Sequence, residues 1–482
     1  MEAELHRYPA YKDSGVPWLG EVPEHWDLST LRRKLSPYDG IKIGPFGSQL
    51  KLDQMTESGY KVYGQANVIA HDFNRGKKFI DHNKFSELAA CDVRPGDLVV
   101  TMMGTSGRCA RVPDHAVPGI MDSHLLRLRT SGDTDVRFAA KIIDEAPYVK
   151  EQIVVAGKGS IMHGLNSSMI KDLIVALPPV SEQAAIVRFL DHVDRRIRCY
   201  IRAKQKLIKL LEEQKQVIIQ QAVTRGVNAN VRLKPSGVVG VGDIPAHWEV
   251  KRGKFFFKEI DVRSTSGDEE LLSVSHLTGV TPRSQKSVNM FKAESYVGSK
   301  VCLPGQVAVN TMWTWMAAIG VSRYHGIVSP SYHTYQRICA DTFSDEYLDL
   351  LLRTPCYKTL YLLNSSGITT SRLRLYPEDF LNIKFIRPPL DEQEEIVAWV
   401  NRNCSTQQTG TESTQREIDL LREYRTRLIS DVVTGKLDVR EAAAQFPDET
   451  HEPEPTDQIE ADDDVDADAA DEIDAVPEEA EA

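Results

Sequence analysis

A stretch of sequence that occurs twice constrains the fold of this chain more than any other feature. Pro178–Val187 reads PPVSEQAAIV, and 210 positions later Pro388–Val397 reads PPLDEQEEIV. The similarity then continues without a gap as far as Thr224 in the first copy and Thr434 in the second. Two prolines hold the chain extended just before each amphipathic segment. The repeat therefore predicts two equivalent long helices, over residues 181–222 and 391–432.

The start of each predicted helix carries its own signal. Ser181 and Asp391 stand at the expected N-cap positions, with acidic residues in the first turn to favour the helix dipole. Asp391 and Glu394 have the spacing of a capping box. These residues place the predicted helix starts just after the prolines.

The apolar residues of the first helix recur at alternating steps of four and three, which predicts a coiled-coil seam. The seam passes through Ile186, Leu190, Val193, Ile197, Tyr200, Lys204, Leu207, Leu211, Gln214 and Ile218. The second copy has a polar middle, Cys404–Gln415, which contains Gly410. Its apolar positions are Ile396, Ile418, Leu421, Leu428 and Val432. We expect the two helices to pair with each other, although an amphipathic helix is more often a simple packing element.

A second repeat shows that the duplication extends beyond the helices. Gly20–Trp26 reads GEVPEHW, and Gly242–Trp248 reads GDIPAHW. Each half of the chain therefore has a His-Trp opening, a globular region, a Pro-Pro segment and a helix. The globular regions share little sequence, which indicates one scaffold that holds two inserts of different specificity. His25 and His247 are predicted to be packing anchors and not catalytic bases.

Both inserts are predicted to be versions of one α/β or α+β fold. The turns Arg94–Asp97 and Leu303–Gln306 correspond, and each leads into an apolar strand. We expect helices over Phe138–Val154 and Asp345–Leu363, with a linker over Thr224–Val239. The predicted strands are Lys61–Val68, Asp97–Met103, Ser123–Arg129 and Asp172–Leu177 in the first insert, and Leu271–Leu277, Val307–Met312, Tyr332–Ile338 and Leu381–Ile386 in the second.

The formal net charge of −11 hides a basic body. Residues 448–482 contain 17 acidic residues and no Lys or Arg, so the remainder has 58 Lys and Arg against 69 − 17 = 52 acidic residues. The acidic segment is predicted to be a disordered tail. The seven scattered cysteines, the lack of an 18-residue apolar run and the lack of a signal peptide favour a soluble cytoplasmic protein without membrane contact.

The sequence lacks the motifs of several enzyme classes. It has no G-x-x-x-x-G-K-[ST] phosphate loop, no Asn/Asp-Pro-Pro-aromatic motif of amino-methyltransferases and no nuclease-type cluster of metal ligands. We therefore predict no catalytic residue, metal site or cofactor in this chain. Two other interpretations stay open: a single-chain modification or nuclease enzyme with an unrecognised active site, and a helical assembly scaffold that does not bind nucleic acid.

Polar and basic residues in the inserts are suited to DNA, because Lys and Arg neutralise phosphates while Arg, Gln, Ser and Thr can contact base edges. The candidates are Lys42, Ser48, Gln49, Lys51, Arg75, Lys77, Lys78, Thr105, Ser106 and Arg108 in the first insert, and Arg283, Lys286, Thr311, Trp313, Trp315, Arg372 and Arg374 in the second. A helix of roughly forty residues is about 60 Å long. That length is enough to hold two DNA-binding domains about one helical turn of DNA apart, roughly 34 Å.

The motifs resemble those of type I restriction–modification specificity subunits. The resemblance rests on YKDSGVPWLGEVPEHW at Tyr11–Trp26, GPFGSQL at Gly44–Leu50, the two Pro-Pro-x-x-Glu-Gln segments and VTGKLDV at Val433–Val439. It covers nearly the whole chain up to Val439. The polar middle of the second helix and the acidic tail depart from the family pattern.

The resemblance implies two target-recognition domains that each bind one half of a bipartite DNA site, joined by an antiparallel pair of conserved helices. The implied divisions are 1–178 and 241–388 for the two target-recognition domains, 179–226 and 389–440 for the helices, 227–240 for a linker and 441–482 for the tail. The seam residues would also dock modification subunits, which bring S-adenosylmethionine and methylate adenine. Restriction subunits would bring ATP and Mg²⁺ for translocation and cleavage.

Overall fold

The computed structural model describes residues 5–45, 49–103, 106–157, 165–286, 295–368 and 372–446. These residues form two compact units. Unit 1 holds the described residues up to Ala203 and those from Arg416 onward, and unit 2 holds those within Lys204–Gln415. The acidic segment from residue 447 lies outside the described residues, so its predicted disorder stays a prediction.

Unit 1 is built from short strands, mostly antiparallel, with helices packed on them. Its described strands are β1 (Tyr11–Asp13), β2 (Glu21–Pro23), β3 (Asp27–Thr30), β4 (Ile41–Ile43), β5 (Tyr60–Tyr63), β6 (Phe79–Ile80), β7 (Asp92–Val93), β8 (Leu98–Thr101), β9 (Cys109–Arg111), β10 (Gly119–Met121), β11 (Leu125–Leu128) and β12 (Ile174–Leu177). Its helices are α1 (Gln65–Ile69), α2 (His82–Glu87), α3 (Val136–Glu145), α4 (Pro147–Gly157) and α5 (Ser167–Lys171). One sheet has the order β4-β11-β8-β9 and another the order β6-β5-β10-β7, in which β5 and β10 are parallel. The apolar run of β8 is fully buried, as expected for a central strand.

The helix α6 (Val180–Arg225) follows unit 1's last strand and is 46 residues long. Its N-terminal part belongs to unit 1 and its C-terminal part to unit 2.

Unit 2 repeats the strand order of one four-stranded sheet of unit 1 and of the β3-β12 pair, but not that of the sheet β6-β5-β10-β7. Its described strands are β13 (Leu233–Pro235), β14 (Asp243–Pro245), β15 (Glu249–Arg252), β16 (Phe257–Ile260), β17 (Leu272–Ser275), β18 (Gly279–Pro282), β19 (Lys300–Cys302), β20 (Val307–Val309), β21 (Ile319–Val321), β22 (Gly326–Val328), β23 (His333–Arg337) and β24 (Lys384–Arg387). Its helices are α7 (Asp345–Leu352), α8 (Pro355–Asn364) and α9 (Pro377–Asn382). The sheet β16-β23-β20-β21 matches β4-β11-β8-β9, and the pair β15-β24 matches β3-β12. The prediction of one mixed fold for both inserts is confirmed.

The second long helix, α10 (Leu390–Val433), is 44 residues long and continuous through its polar middle. In unit 1 its last turns pack with the start of α6, and Arg425 forms ion pairs with Asp194 and with Glu145. In unit 2 its first turns pack with the end of α6, and nearer the middle of α10 Gln408 accepts a hydrogen bond of 2.8 Å from Lys215. The predicted pairing of the two helices is therefore confirmed within each unit.

The helix α11 (Arg440–Ala444) follows α10 and belongs to unit 1. Ala442 and Ala443 are buried against the core of unit 1. The segment predicted to be tail from residue 441 therefore begins as folded structure, because these small apolar side chains pack.

The two repeated motifs contact each other inside each unit. In unit 1, Glu182 accepts hydrogen bonds from His25 and from the indole N–H of Trp26. In unit 2, Glu392 is bonded in the same way to His247 and Trp248. The histidines predicted as packing anchors are thus hydrogen-bonded anchors with partly exposed rings, while the adjacent tryptophans are fully buried.

The glutamine of each Pro-Pro-x-x-Glu-Gln motif binds backbone groups. The Gln183 side chain accepts from the N–H of Asp135 at the start of α3 and donates to the carbonyl of Pro178. Gln393 accepts from the N–H of Ser344 at the start of α7 and donates to the carbonyl of Pro388. The repeated motif therefore joins the start of each long helix to its own globular region.

Proline breaks two helices that were predicted to be continuous. The segment Phe138–Val154 is two helices, α3 and α4, separated at Ala146, and Asp345–Leu363 is likewise α7 and α8. Ala146 and Thr354, the residues before Pro147 and Pro355, are extended. A residue before proline is disfavoured in the helical region, which accounts for both breaks.

Three other local predictions are wrong. The long helices begin at Val180 and Leu390, so Ser181 and Asp391 lie in the first turn and the carbonyls of Pro179 and Pro389 accept the first helical bonds. The strand predicted over residues 61–68 ends at Tyr63, and α1 follows it after Gly64. The predicted linker contains β13, which pairs with β14.

The predicted seam of α6 holds as far as Ile197 and then shifts by one residue. Ile186, Leu190 and Ile197 are buried, whereas Tyr200 and Leu207 are 52% and 45% exposed. The partly buried apolar residues of those turns are Ile201 and Ile208, and Leu211 and Ile218 are again partly buried. Of the two polar seam positions, Lys204 is partly buried and Gln214 is exposed. In α10, Ile396, Ile418 and Leu428 are buried and Leu421 is partly buried.

Candidate nucleic-acid interface

In unit 1, the loops that follow several strands meet at one end of the sheets. The backbone N–H of Met102 donates to the carbonyl of His124 at 2.9 Å, and the N–H of Leu165 donates to the carbonyl of Met102 at 2.8 Å. The N–H of Asp122 donates to the carbonyl of Tyr63 at 2.9 Å. We call these segments, residues 63–64, 102–103, 122–124 and 165, loop group 1.

The carboxylate of Asp122 is the acidic centre of loop group 1. It accepts a hydrogen bond of 2.9 Å from the backbone N–H of His124. Burial raises the pKa of Asp122 above its usual value, and the bond from His124 and the charge of Lys78 only partly oppose this shift. A carboxylate held in this way can accept a hydrogen bond from the amino group of cytosine. Sequence reasoning missed it, because nothing near Asp122 in the chain marks it.

In unit 2, the equivalent place is occupied by the tryptophan loop, which we define as Asn310–Ala318. The N–H of Leu375 donates to the carbonyl of Thr311 at 3.2 Å, which matches the Leu165–Met102 bond of unit 1. The hydroxyl of Thr311 donates to the carbonyl of Ser331 at 2.6 Å. The guanidinium of Arg374 lies 3.8 Å from the sulfur of Met312. Two segments far apart in sequence, residues 311–315 and 372–375, are thus brought together.

The candidate DNA-binding residues fall into groups by exposure. Those with exposed side chains are Lys42, Gln49, Lys51, Arg75, Lys77, Lys78, Arg372 and Arg374. Those that are partly exposed are Ser106, Arg108, Arg283, Lys286, Trp313 and Trp315, while Thr311 is buried. Ser48 and Thr105 lie outside the described residues.

Several candidates have their polar groups engaged within their own unit. Arg108 forms an ion pair of 2.8 Å with Asp144. Ser106 donates to the carbonyl of Met102 at 3.1 Å, and Lys286 donates to the hydroxyl of Ser273 at 3.0 Å. Contact of these side chains with bases stays a prediction, because in the structure they bind other groups of their own unit.

Unit 1 also contains a charged network that the sequence did not indicate. The side chain of Arg127 is fully buried and paired with Asp39 and Asp92. Arg129 is paired with the same two aspartates and, at 2.7 Å, with Asp97. Because a buried charge is costly unless it is paired, these five residues act together to hold β11 against its neighbours.

The described residues contain no group of three or more His, Cys, Asp or Glu side chains placed to hold a metal ion. Within the same part of the chain, no helix is long and apolar enough to cross a membrane. Both units have candidate residues with exposed basic side chains, such as Lys77 and Lys78 in unit 1 and Arg372 and Arg374 in unit 2.

Comparisons with known proteins agree with the resemblance seen in the motifs. The chain is 22% identical over 242 residues to a protein of Methanocaldococcus jannaschii named provisionally as the type I restriction enzyme MjaX specificity subunit. The match covers 48% of this chain and 52% of that protein, so the chain spans about half the length of this curated relative. No family model matches the chain.

One solved structure shows the fold, and a second is reported for its coverage alone. A structure described as the basis of complex assembly and conformational transition of the type I R-M system has a TM-score of 0.58 and 16% identity, and the match covers 86% of this chain and 99% of that one. The HsdS subunit from Thermoanaerobacter tengcongensis has a TM-score of 0.40 and 15% identity, with 87% and 98% covered. This chain thus has the fold of a chain from a type I restriction–modification system and is similar in sequence to a specificity subunit.

Proposed function

We propose that this chain is the DNA-specificity subunit of a type I restriction–modification complex. Unit 1 would bind one half of a bipartite asymmetric DNA site, and unit 2 would bind the other half. The chain would itself be non-catalytic and would dock modification and restriction subunits, which would carry S-adenosylmethionine, ATP and Mg²⁺.

The observation that carries the proposal is that two units with the same frame have different loops at the same place. The Glu–His-Trp contact, the Gln–backbone contacts and the order of one four-stranded sheet are repeated. At the loops, however, unit 1 has Met102 and His124 where unit 2 has Thr311 and Ser331. A repeated scaffold with unlike loops is what two half-sites of different sequence require.

Exposed apolar side chains on the long helices support the docking of partner subunits. Large exposed apolar residues are Tyr200, Leu207, Leu210 and Val217 on α6 and Leu420 and Tyr424 on α10. Within unit 2, Leu207 and Leu210 lie one turn apart on the same face of α6, and grouped exposed apolar residues mark sites of protein association. Replacement of Leu207 and Leu210 with Ser should reduce co-purification of a modification subunit, whereas Lys150→Ser on α4 should not.

The proposal is tested by methylome sequencing of the host with and without this chain. The expected result is loss of adenine methylation at one asymmetric bipartite motif when the chain is deleted. A chain in which residues 249–387 are exchanged for the equivalent region of another specificity subunit should change only one half of the motif. An unchanged methylome, together with no specific DNA binding by the chain and its subunits, would refute the proposal.

A further inference from the structure

We propose that Trp313 and Trp315 form an apolar surface in unit 2 that recognises the C5-methyl group of thymine. This inference rests on the proposed function, because it assigns a chemical specificity to one loop of the candidate interface. It predicts that the half-site bound by unit 2 contains a T·A pair whose methyl group contributes to binding.

The two indole rings are stacked on the surface of the tryptophan loop. Their centroids are 5.8 Å apart and their planes differ by 21°. Both side chains are partly exposed, and neither belongs to the hydrophobic clusters found among the described residues of unit 2. Trp26 and Trp248, in contrast, are fully buried and donate to carboxylates. The pair therefore contributes apolar surface at a loop and not in a core.

Hydrogen bonds inside the loop hold the rings in place. The indole N–H of Trp315 donates to the carbonyl of Met312 at 2.9 Å. The backbone N–H of Trp313 donates to the carbonyl of Asn310 at 3.1 Å, and the Asn310 side chain donates to the hydroxyl of Tyr332 at 2.7 Å. Because its only polar atom is engaged, Trp315 presents carbon atoms to a ligand. A preorganised surface of this kind loses little entropy on binding.

The backbone of Ala317, which is left-handed, also helps to fix the conformation of the tryptophan loop. Its φ of 69° and ψ of 33° are unfavourable for a residue with a Cβ. Its N–H donates to the carbonyl of Thr314 at 2.7 Å, and the N–H of Ala318 donates to the carbonyl of Trp313 at 3.2 Å. The surrounding bonds thus hold the loop in a strained turn that keeps both indoles on one side.

The chemistry of the pair favours a thymine methyl over the other ligands of a DNA groove. Thymine is the base that presents a methyl group in the major groove, and it is recognised by apolar contact. The rings are stacked with an offset and are partly buried, which favours surface contact over insertion between base steps. Arg374, exposed beside Met312, is placed to bind phosphate or a neighbouring base. In unit 1, the residues that follow Met102 are Met103, Gly104, Thr105 and Ser106, none of which is aromatic, so we expect this mode of recognition in unit 2 only.

The test removes the methyl group alone. The full chain, purified with its modification subunits, is titrated with duplexes that carry the mapped site and deoxyuridine in place of each thymine of the unit 2 half-site in turn. We expect the affinity of the natural chain to fall about 4-fold at one thymine, because one buried CH₂-sized group contributes about 0.8 kcal/mol. Trp315→Ala and Trp313→Ala should bind the two duplexes alike.

The controls separate specificity from folding. Trp18→Ala, which removes a 40% exposed tryptophan of unit 1, should keep the discrimination, and deoxyuridine in the other half-site should affect all variants equally. Trp315→Phe keeps an apolar ring and should retain part of the effect. Melting curves of each variant show whether unit 2 is folded.

The outcomes are distinguishable. Equal affinity of the natural chain for thymine and uracil duplexes, or a half-site without a T·A pair, would overturn this inference while site-specific binding still stood. A rise in 2-aminopurine fluorescence that depends on Trp315 would show insertion between bases and would also overturn it. Absence of any site-specific binding would refute the proposed function itself.

Discussion

The carboxylate of Glu182 accepts a hydrogen bond of 2.8 Å from the indole nitrogen of Trp26, 156 residues earlier in the chain. The same carboxylate accepts from the hydroxyl of Tyr8 at 2.7 Å and is bonded to His25 at 2.8 Å. Burial is the main cause that raises the pKa of Tyr8 well above its usual value, and the hydrogen bond to Glu182 is the second cause. Tyr8 therefore remains a hydrogen-bond donor. One acidic residue thus joins the N-terminal segment to the start of α6.

Glu182→Gln should destabilise unit 1. The amide has one acceptor oxygen in place of two, and its NH₂ group faces donors. We expect the free energy of unfolding to fall by about 1.5–3 kcal/mol, the range for hydrogen bonds to a charged group. The side chain of Glu392 is 33% exposed, whereas that of Glu182 is 3% exposed. Glu392→Gln should therefore lower the free energy of unfolding by less than Glu182→Gln does. Urea unfolding of both variants measures this, and equal midpoints would contradict the explanation.

The two-unit organisation could be predicted from the sequence, because the motifs that define each unit occur twice. The His-Trp and Glu-Gln motifs revealed the two halves because each pair is a contact that both units need. The loops could not be predicted, since pairs such as Arg108 with Asp144 and Arg127 with Asp39 form only after the strands are in place. The buried face of α6 beyond Ile197 could not be predicted either. Leu207 and Ile208 are both apolar, and only the packing of the folded protein determines which of them is buried.

Arg108→Ala should act on stability more than on DNA binding. The side chain of Asp144 is 11% exposed and also accepts from the backbone N–H of Cys109 at 2.9 Å. Loss of the guanidinium leaves this carboxylate without its cation, at a cost of about 1–3 kcal/mol. The thermal midpoint should fall, while the salt dependence of DNA binding stays the same. A reduced salt dependence with an unchanged midpoint would show that Arg108 contacts phosphate instead.

Lys78→Ala should act on DNA binding more than on stability, in contrast to Arg108→Ala. Lys78 is exposed near Asp122 at the edge of loop group 1. If it neutralises one phosphate, its loss should weaken binding to all DNA sequences and lower the slope of log K against log salt concentration by about 1. Lys150→Ala, on the exposed face of α4, is the matched control and should leave the slope unchanged. Identical slopes for both variants would show that Lys78 does not neutralise a DNA phosphate.

Gly410→Ala should stabilise unit 2. Gly410 lies within the continuous helix α10, where alanine is favoured over glycine by about 1 kcal/mol. A Cβ at this position would lie 3.3 Å from Cδ1 of Leu211, a terminal methyl that can move by a few tenths of an ångström. We expect a higher urea midpoint for Gly410→Ala and a lower one for Gly410→Val, whose extra methyl groups crowd Leu211. A lower midpoint for Gly410→Ala would mean that Leu211 cannot move.

The pairing of Asp194 with Arg425 should make unit 1 sensitive to acid. Burial by itself raises the pKa of Asp194, but the hydrogen bonds and charges of Arg425 and Arg198 outweigh burial, so the pKa lies below its usual value. A carboxyl with a lowered folded-state pKa adds stability at pH above its unfolded value of about 3.9, and this stability is lost as the pH falls through the folded-state pKa.

Asp194→Asn should therefore be less stable than the natural chain at pH 7, and the difference should shrink as the pH falls below about 4. Glu423→Gln, which removes an exposed acid of α10, is the control and should follow the natural chain at every pH. Urea midpoints measured between neutral and acid pH test this, and a difference that does not change with pH would show that the ionised carboxylate of Asp194 does not join α6 to α10.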